Sequence, residues 1–453
     1  MDNFWRLLRT YCLNSTIVGL KYFYIYPDIL SRCFWAVNMV SVLAMSFTVT
    51  YFLYNRFEEM PTRVAIENQF EPIKNLPYPA ITLCTPNQIT KSSLKYFNTT
   101  LIEGNKTDLE SYLPLVLGFY EFINTTDQTR NWLKNFQDLL EKNRYTVPEL
   151  MGRVPQKCER FLKRCYLERK LYNCTDLFKP ILTSRGYCCS FNNNYMFNGK
   201  MNIKIRDFVN RTVKATGFNN ALVVVTDYEI KDSMTATLLN AGAVMYTDYT
   251  EFPSDDELSY IDGYGESFHI LSATYTYCSD EVKSLPVWSR NCFFHDEHQL
   301  DHFRSYHNSD CDHLCYTNAV KGAWNMSSWL TPENCNCLRD CESRKYRGEM
   351  TLGNFRAIPY TLKNPYEGLD LNNSTSAFHF FFTNPVYLKQ KQETVMSIIS
   401  LASNLGGVFG LSMGLSCISL LEILFYTYLG LKLYIRGKLD KMLLAVTNHY
   451  NTD

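Results

Sequence analysis

Hydrophobic positions concentrate at two places near the ends of the chain. No residue from Cys33 to Tyr54 is charged, and from Thr394 to Leu431 the only charge is Glu422. A helix over 33–54 rises about 33 Å at 1.5 Å per residue, enough to cross a hydrocarbon core of about 30 Å. That stretch starts too far into the chain, and lacks the small-residue cleavage pattern, for a signal peptide. The second stretch is too long for one simple crossing. It predicts an approach segment, a broken or tilted helix and an exit. Residues 55–393 alternate like a protein folded in water. Strands are predicted at Tyr78–Cys84, Ala221–Val225, Ala243–Thr247, Ser272–Cys278 and Ala377–Thr383, where β-branched and aromatic residues cluster. Helical periodicity marks Asn131–Asn143, and 292–345 reads as helical and Cys-dense.

The pattern therefore divides the chain into a tail (1–32), a span (33–54), a large domain (55–393), a second apolar segment (394–431) and a tail (432–453). The fold class is an α+β membrane protein, with two transmembrane helices flanking a disulfide-rich β-sheet ectodomain. Thirteen of the 16 Cys lie between Cys84 and Cys341, and sequons stand in 55–393 at Asn98, Asn105, Asn124, Asn173, Asn210, Asn325, Asn372 and Asn373. Dense Cys with glycan acceptors indicates an oxidising, glycosylating compartment. Arg6, Arg9, Lys21 and Arg32 precede the first span, and Lys432, Arg436, Lys438 and Lys441 follow the second. Basic flanks on both sides place both termini in the cytosol of a plasma-membrane protein. A formal net charge of zero argues against nucleic acid. Aromatic residues make up 15% of the chain, which suits strands and membrane-interface belts.

The chemistry sits in the second apolar stretch. Gly406, Gly410 and Gly414 recur every four residues, beside Gly407, and form one small-residue stripe on a helix. Such a stripe packs helices in lipid. Ser412, Ser416 and Ser419 add hydroxyls for water, and the backbone of Gly414-Leu415-Ser416 offers carbonyls at a constriction. Glu422, as a lone intramembrane carboxylate, either draws cations to a pore or pairs with Lys432 or Arg436. A helical hairpin turning near 318–332 would nest the bridges Cys292–Cys341, Cys311–Cys337 and Cys315–Cys335. Cys165 and Cys174 bracket a short loop, and Cys84 needs a distant partner, for which Cys188 is the candidate. Spacing alone leaves connectivity open. Cys158–Cys189 is a further candidate pair, which leaves Cys278. Zinc is the weaker reading of C-x3-C and C-x-C in an oxidising compartment. His295, His298 and His302, three and four apart, are placed on one helix face and read as a solvated polar face, so no metal site is assigned. No G-x-S-x-G, H-E-x-x-H or phosphate loop occurs, and the chain is not read as an enzyme.

Several ordered segments resemble the degenerin/epithelial sodium channel family, and within it insect pickpocket subunits. They are Tyr78–Cys84, Cys174–Asn192, Gly242–Pro253, Ser284–Cys292, Cys335–Tyr346 and Ser403–Tyr426. The resemblance implies homo- or heterotrimers of two-span subunits, in contact with membrane lipid and with related channel subunits. It also implies a helical finger (90–160), a short helical thumb (292–345), sodium as the permeant ion without a cofactor, and block by amiloride. The filter triplet falls on Gly414, Leu415 and Ser416. Pore and gating positions fall on Ser403, Asn404, Gly406, Gly407, Gly410 and Glu422, and a cytosolic gating glycine on Gly19, preceded by Val18 where the family has His. Trp288 and Tyr51 would couple the ectodomain to the pore. The nested thumb bridges, Cys84–Cys188 and Cys165–Cys174 agree with family bridges. Asn404 stands where relatives carry Asp, and Thr247 where they carry His. Two alternatives are a non-conducting assembly subunit and an ATP-gated trimeric receptor, although no Lys/Arg cluster for nucleotide stands beside the spans.

Overall fold

The computed structural model describes residues 2–26, 28–59, 61–101, 127–234, 242–254, 257–261, 265–301, 303, 305–322, 336–355 and 366–450. They divide into two units. One comprises Met1–Arg63, Ser279–Arg290 and Glu393–Asp453, and the other Val64–Cys278 and Asn291–Gln392.

The larger unit is built on two sheets. Ala80–Cys84 and Gly186–Phe191 are buried at every position. Their near-continuous apolar runs require cover on both faces. They form the centre of a five-stranded sheet ordered Leu258–Ile261, Gly242–Thr247, Ala80–Cys84, Gly186–Phe191, Phe178–Thr183. The second sheet has eight strands around Gly265–Cys278. That strand pairs antiparallel with Ser343–Gly353 along its length, and parallel first with Thr375–Phe382 and then with Val386–Thr394. The main core includes Ile81, Phe178, Phe191, Leu222, Val224, Tyr346 and Phe380. Buried hydroxyls in it find carbonyls: Tyr346 donates to Pro77 at 2.9 Å.

A separate helical cluster packs Leu94, Phe97, Phe136, Leu140 and Leu150. It is carried by helices Lys91–Thr100, Asp127–Lys142 and Val147–Arg153. Thr90 caps the first by accepting from Ser93 N–H, and Thr146 with Glu149 forms a capping box on the last. Five disulfides are formed among the described residues: Cys84–Cys188, Cys158–Cys189, Cys165–Cys174, Cys292–Cys341 and Cys311–Cys337. Cys315 is also disulfide-bonded; Cys335, with which the spacing nests it, lies outside the described residues. Cys278 carries a thiol whose Sγ lies 3.1 Å from the Cys341 carbonyl. Asn173, Asn372 and Asn373 are exposed, Asn98 and Asn210 half-buried, and Asn105, Asn124 and Asn325 lie outside the described residues.

Among the described residues of 292–345, Asn308–Gly322 is the one helix, and Cys292–Phe293 is a short strand beside Arg339–Asp340. His295 sits on a turn and His298 just after it, neither on a helix, and His302 lies outside the described residues. The backbone explains this. Asn291 takes a left-handed φ of 56°, and Glu297 bonds back to Phe294 through both its N–H and its carboxylate.

His269 illustrates how closely this unit is packed. It is fully buried, with Nδ1 2.5 Å from the Tyr246 hydroxyl and Nε2 3.0 Å from Ser267 Oγ. Burial, with His379 nearby, pushes its pKa down to about 4. A folded pKa below the unfolded value means that stability is complete above about pH 6.5 and is lost as pH falls towards 4. The difference in unfolding free energy between the wild type and His269→Gln is therefore expected to narrow by about 2 kcal/mol between pH 7.5 and 5. Chemical denaturation at the two pH values measures it, and an unchanged gap contradicts it.

In the smaller unit, among the described residues, two helices are long and apolar enough to cross a membrane, Ile29–Glu59 and the Cys417–Arg436 part of a helix that runs to Tyr450. The first extends beyond 33–54 at both ends, because Arg32, Arg56, Glu58 and Glu59 stand where long side chains reach water. Phe34, Val40 and Met45 are exposed at 62%, 66% and 70%, more apolar surface than a water-facing helix leaves uncovered.

Candidate functional site: a capped break in the second apolar segment

The second apolar segment is two helices. Ile398–Met413 begins at an N-cap, Ser397, whose side chain accepts from Ser400 N–H. It ends at Gly414, with φ 67° and ψ 21°; the Gly414 N–H donates to the Gly410 carbonyl and the Leu415 N–H to Phe409. This is a left-handed C-cap, which glycine adopts without a Cβ penalty. The next helix starts at Cys417. Ser416 Oγ accepts from Ser419 N–H at 3.3 Å, and Ser419 Oγ accepts from Ser416 N–H at 3.2 Å. That reciprocity is a capping box with Ser in the third position. Glycine ends one helix, serine starts the next, and the residue between belongs to neither. The last carbonyls of the first helix lose their usual helical donors, while the Ser416 carbonyl already accepts from Leu420 N–H at 3.3 Å in the second.

The small-residue stripe is therefore shorter than its spacing implies. Gly414 is a cap and leaves the helix, so the stripe ends at Gly410. A Cβ at Gly406 or Gly407 would meet no atom within 4 Å, whereas one at Gly410 would lie 3.6 Å from the Leu415 carbonyl. Ser403 and Asn404 are exposed on this helix.

The segment between Asn14 and Tyr22 packs against the break. Val18 N–H donates to the Met413 carbonyl at 3.0 Å. Thr16 donates to Glu422 Oε2 from both its backbone N–H and its hydroxyl, each at 3.0 Å, and its Oγ1 lies 2.6 Å from Ser419 Oγ. A Cβ on Gly414 would come within 2.9 Å of Val18 Cγ2, and one on Gly19 (φ 107°) within 2.4 Å of Met39 Sδ. Tyr11 and Tyr426 bring their rings to 5.1 Å.

These contacts change three sequence readings. Glu422 is half-buried and held by Thr16, not by Lys432 or Arg436. Ser419 is fully buried rather than facing water, because Thr16 and Ser416 surround its hydroxyl. Ser412 lies 2.9 Å from Ser46 Oγ on the first long helix, and Ser46 is the one buried residue of that helix. Thr16, Ser46 and Ser419 thus belong to the site. The signal for Thr16 was Ser15-Thr16 followed by Val18-Gly19, a polar and glycine turn ahead of an apolar helix. Nothing local linked it to a carboxylate 406 positions away.

No ring pair joins Trp288 and Tyr51 among the described residues. Tyr51 packs edge-on to Phe52 and is 62% exposed. Trp288 is 77% exposed, because Arg290 of the same short helix turns inward to the carbonyls of Lys283 and Leu285.

Comparison with known proteins gives the family. The Drosophila melanogaster sodium channel protein Nach is 25% identical over 93% of this chain and 86% of its own length. Pickpocket protein 28 of the same organism is 22% identical over 92% of this chain and 77% of its own. Acid-sensing ion channel 1C of Danio rerio is 22% identical over 95% and 85%. The amiloride-sensitive sodium channel family model matches residues 11–325 and 321–426, and the chain belongs to that family.

Proposed function

We propose that the protein is a subunit of a trimeric, stimulus-gated, sodium-selective channel of the plasma membrane, blocked by amiloride, with both termini in the cytosol. The observation that carries this reading is the capped break at Gly414-Leu415-Ser416. Three copies of such a break around an axis would ring a narrow passage with backbone carbonyls, which replace part of a cation's hydration shell. Sodium then moves inward down its gradient. The names of the relatives, a sodium channel protein and an acid-sensing ion channel, support the same class.

In this reading Gly406, Gly407 and Gly410 let neighbouring helices approach. Ser403 and Asn404 lie on the outer side of the break. The Thr16–Glu422–Ser419 network ties the segment carrying Gly19 to the inner helix. Trp288 and Tyr51, two exposed rings, pass ectodomain movement to the spans. Partners are identical or related subunits and membrane lipid, and no cofactor takes part.

The test is sodium current recorded with the chain expressed alone and with related subunits, with and without amiloride. Ser403→Val is expected to produce a standing, amiloride-blocked sodium leak, since a bulky side chain on the exposed outer turn opposes closure. Normal surface delivery with no current from either form in any combination would instead favour a non-conducting assembly subunit. A response to ATP would favour the nucleotide-gated alternative.

A further inference from the structure

The root of the Asn308–Gly322 helix carries a second constellation, in the ectodomain and independent of the conduction reading. Three segments converge there: the turn after Cys292–Phe293, the start of the helix, and the strand Arg339–Asp340. His295, His307 and Asp340 each bring one ligand atom to within 4.8 Å of the others. The rings of His295 and His307 stand 4.6 Å apart. We propose that His295, His307 and Asp340 bind a divalent transition-metal ion of the zinc class.

The hydrogen bonds prepare the donors. His295 Nδ1 lies 3.0 Å from the Tyr306 carbonyl. A carbonyl only accepts, so Nδ1 carries the proton and Nε2 keeps its lone pair, the arrangement that orients metal-binding histidines. His307 is 2% exposed and its Nδ1 has no hydrogen-bond partner. The nearest carboxylate oxygen, Glu251 Oε1, is at 3.8 Å. A buried nitrogen left unbonded is costly, and a metal ion would satisfy it. Asp340 is fixed by the Asn308 N–H, 3.1 and 3.3 Å from its two oxygens.

Access agrees. The site opens on a cavity of 260 Å³ lined among others by Asp248, Glu251, His295, His307 and Arg344. Arg344 is paired with Asp248 at 3.2 Å. Lys204 and Glu342 line the same cavity. Two imidazoles and one carboxylate suit zinc better than calcium or magnesium, which take all-oxygen sets. Tetrahedral zinc with bonds of about 2.0–2.1 Å holds its ligand atoms about 3.4 Å apart, so groups now within 4.8 Å of one another would close by up to about 1.4 Å on binding. Water or Glu251 would complete the set. The ion would join the turn, the helix and the strand already tied by Cys292–Cys341 and Cys311–Cys337.

The experiment uses the full chain, purified in detergent, stripped with a chelator and titrated with zinc against a competing chromophoric chelator. One zinc per chain is expected, with magnesium unable to compete. His295→Gln and Asp340→Asn should each weaken binding at least about tenfold. His298→Gln should leave it unchanged, since His298 stacks on Phe293 away from the trio. His295 is half-buried on a turn, and Gln retains an amide donor there, so this variant carries the test if Asp340→Asn fails to fold. No zinc bound by the wild type, or unchanged affinity in His295→Gln, overturns the proposal.

Discussion

Gly414→Val abolishes sodium current while the protein still reaches the cell surface. Position 414 has φ 67°, and its Cβ would stand 2.9 Å from Val18 Cγ2. A left-handed conformation costs an ordinary residue roughly 1–2 kcal/mol, and a β-branched side chain adds crowding against Val18. Together these are expected to lower the population of the capped break at least about tenfold. The helix would then run on through Leu415, and the carbonyls released at the break would return to the helical ladder. Gly414→Ala should be milder, because Val18 Cγ2 ends a side chain that can turn. Gly414→Ala with Val18→Ala separates the two causes: the clash is relieved and the backbone cost stays. Currents normalised to surface protein measure the effect. Wild-type current in Gly414→Val would show that the cap does not shape the conducting state.

Replacing Cys84 and Cys188 together by Ala removes most of the protein from the surface. The bond closes a separation of 104 residues, whereas Cys165–Cys174 closes 9. In the chain-entropy description these correspond to about 4.7 and about 2.6 kcal/mol of stability. The longer bridge also sits in the five-stranded sheet, where Cys84 and Cys188 face each other across two fully buried strands. Alanine adds no buried hydroxyl, so the loss reads the bond and the sulfur packing. Surface biotinylation after expression at reduced and normal temperature is the measurement. Surface levels should fall severalfold further for the Cys84/Cys188 pair than for Cys165/Cys174, and equal effects would contradict the ranking.

Much of this architecture was legible because it rests on local pattern. Charge-free runs marked the apolar helices, and the length of the second run called for a break. Apolar strands such as Ala80–Cys84 declared themselves because both faces are buried, and strict Cys spacing narrowed the bridges. What stayed hidden depends on distant partners. Gly414 has the spacing of a stripe but the backbone of a cap, and only the chain path separates the two. Glu422 takes its partner from Thr16, near the other end of the sequence. His295 and His298 fit a helical face on paper, yet a left-handed Asn291 and the Glu297 turn replace the helix there. The histidine that does join His295 is His307, outside any i+3 or i+4 frame.

The most direct test of the conducting break is modification of a cysteine placed in it. Ser416→Cys is made in a background where the exposed native Cys417 is Ser, and sodium current is followed during application of a charged thiol reagent. The account predicts that the reagent reaches residue 416 through water and blocks the current, and that amiloride slows the reaction. A thiol at 416 that stays unmodified in channels carrying current would mean that the break is sealed from the ion path.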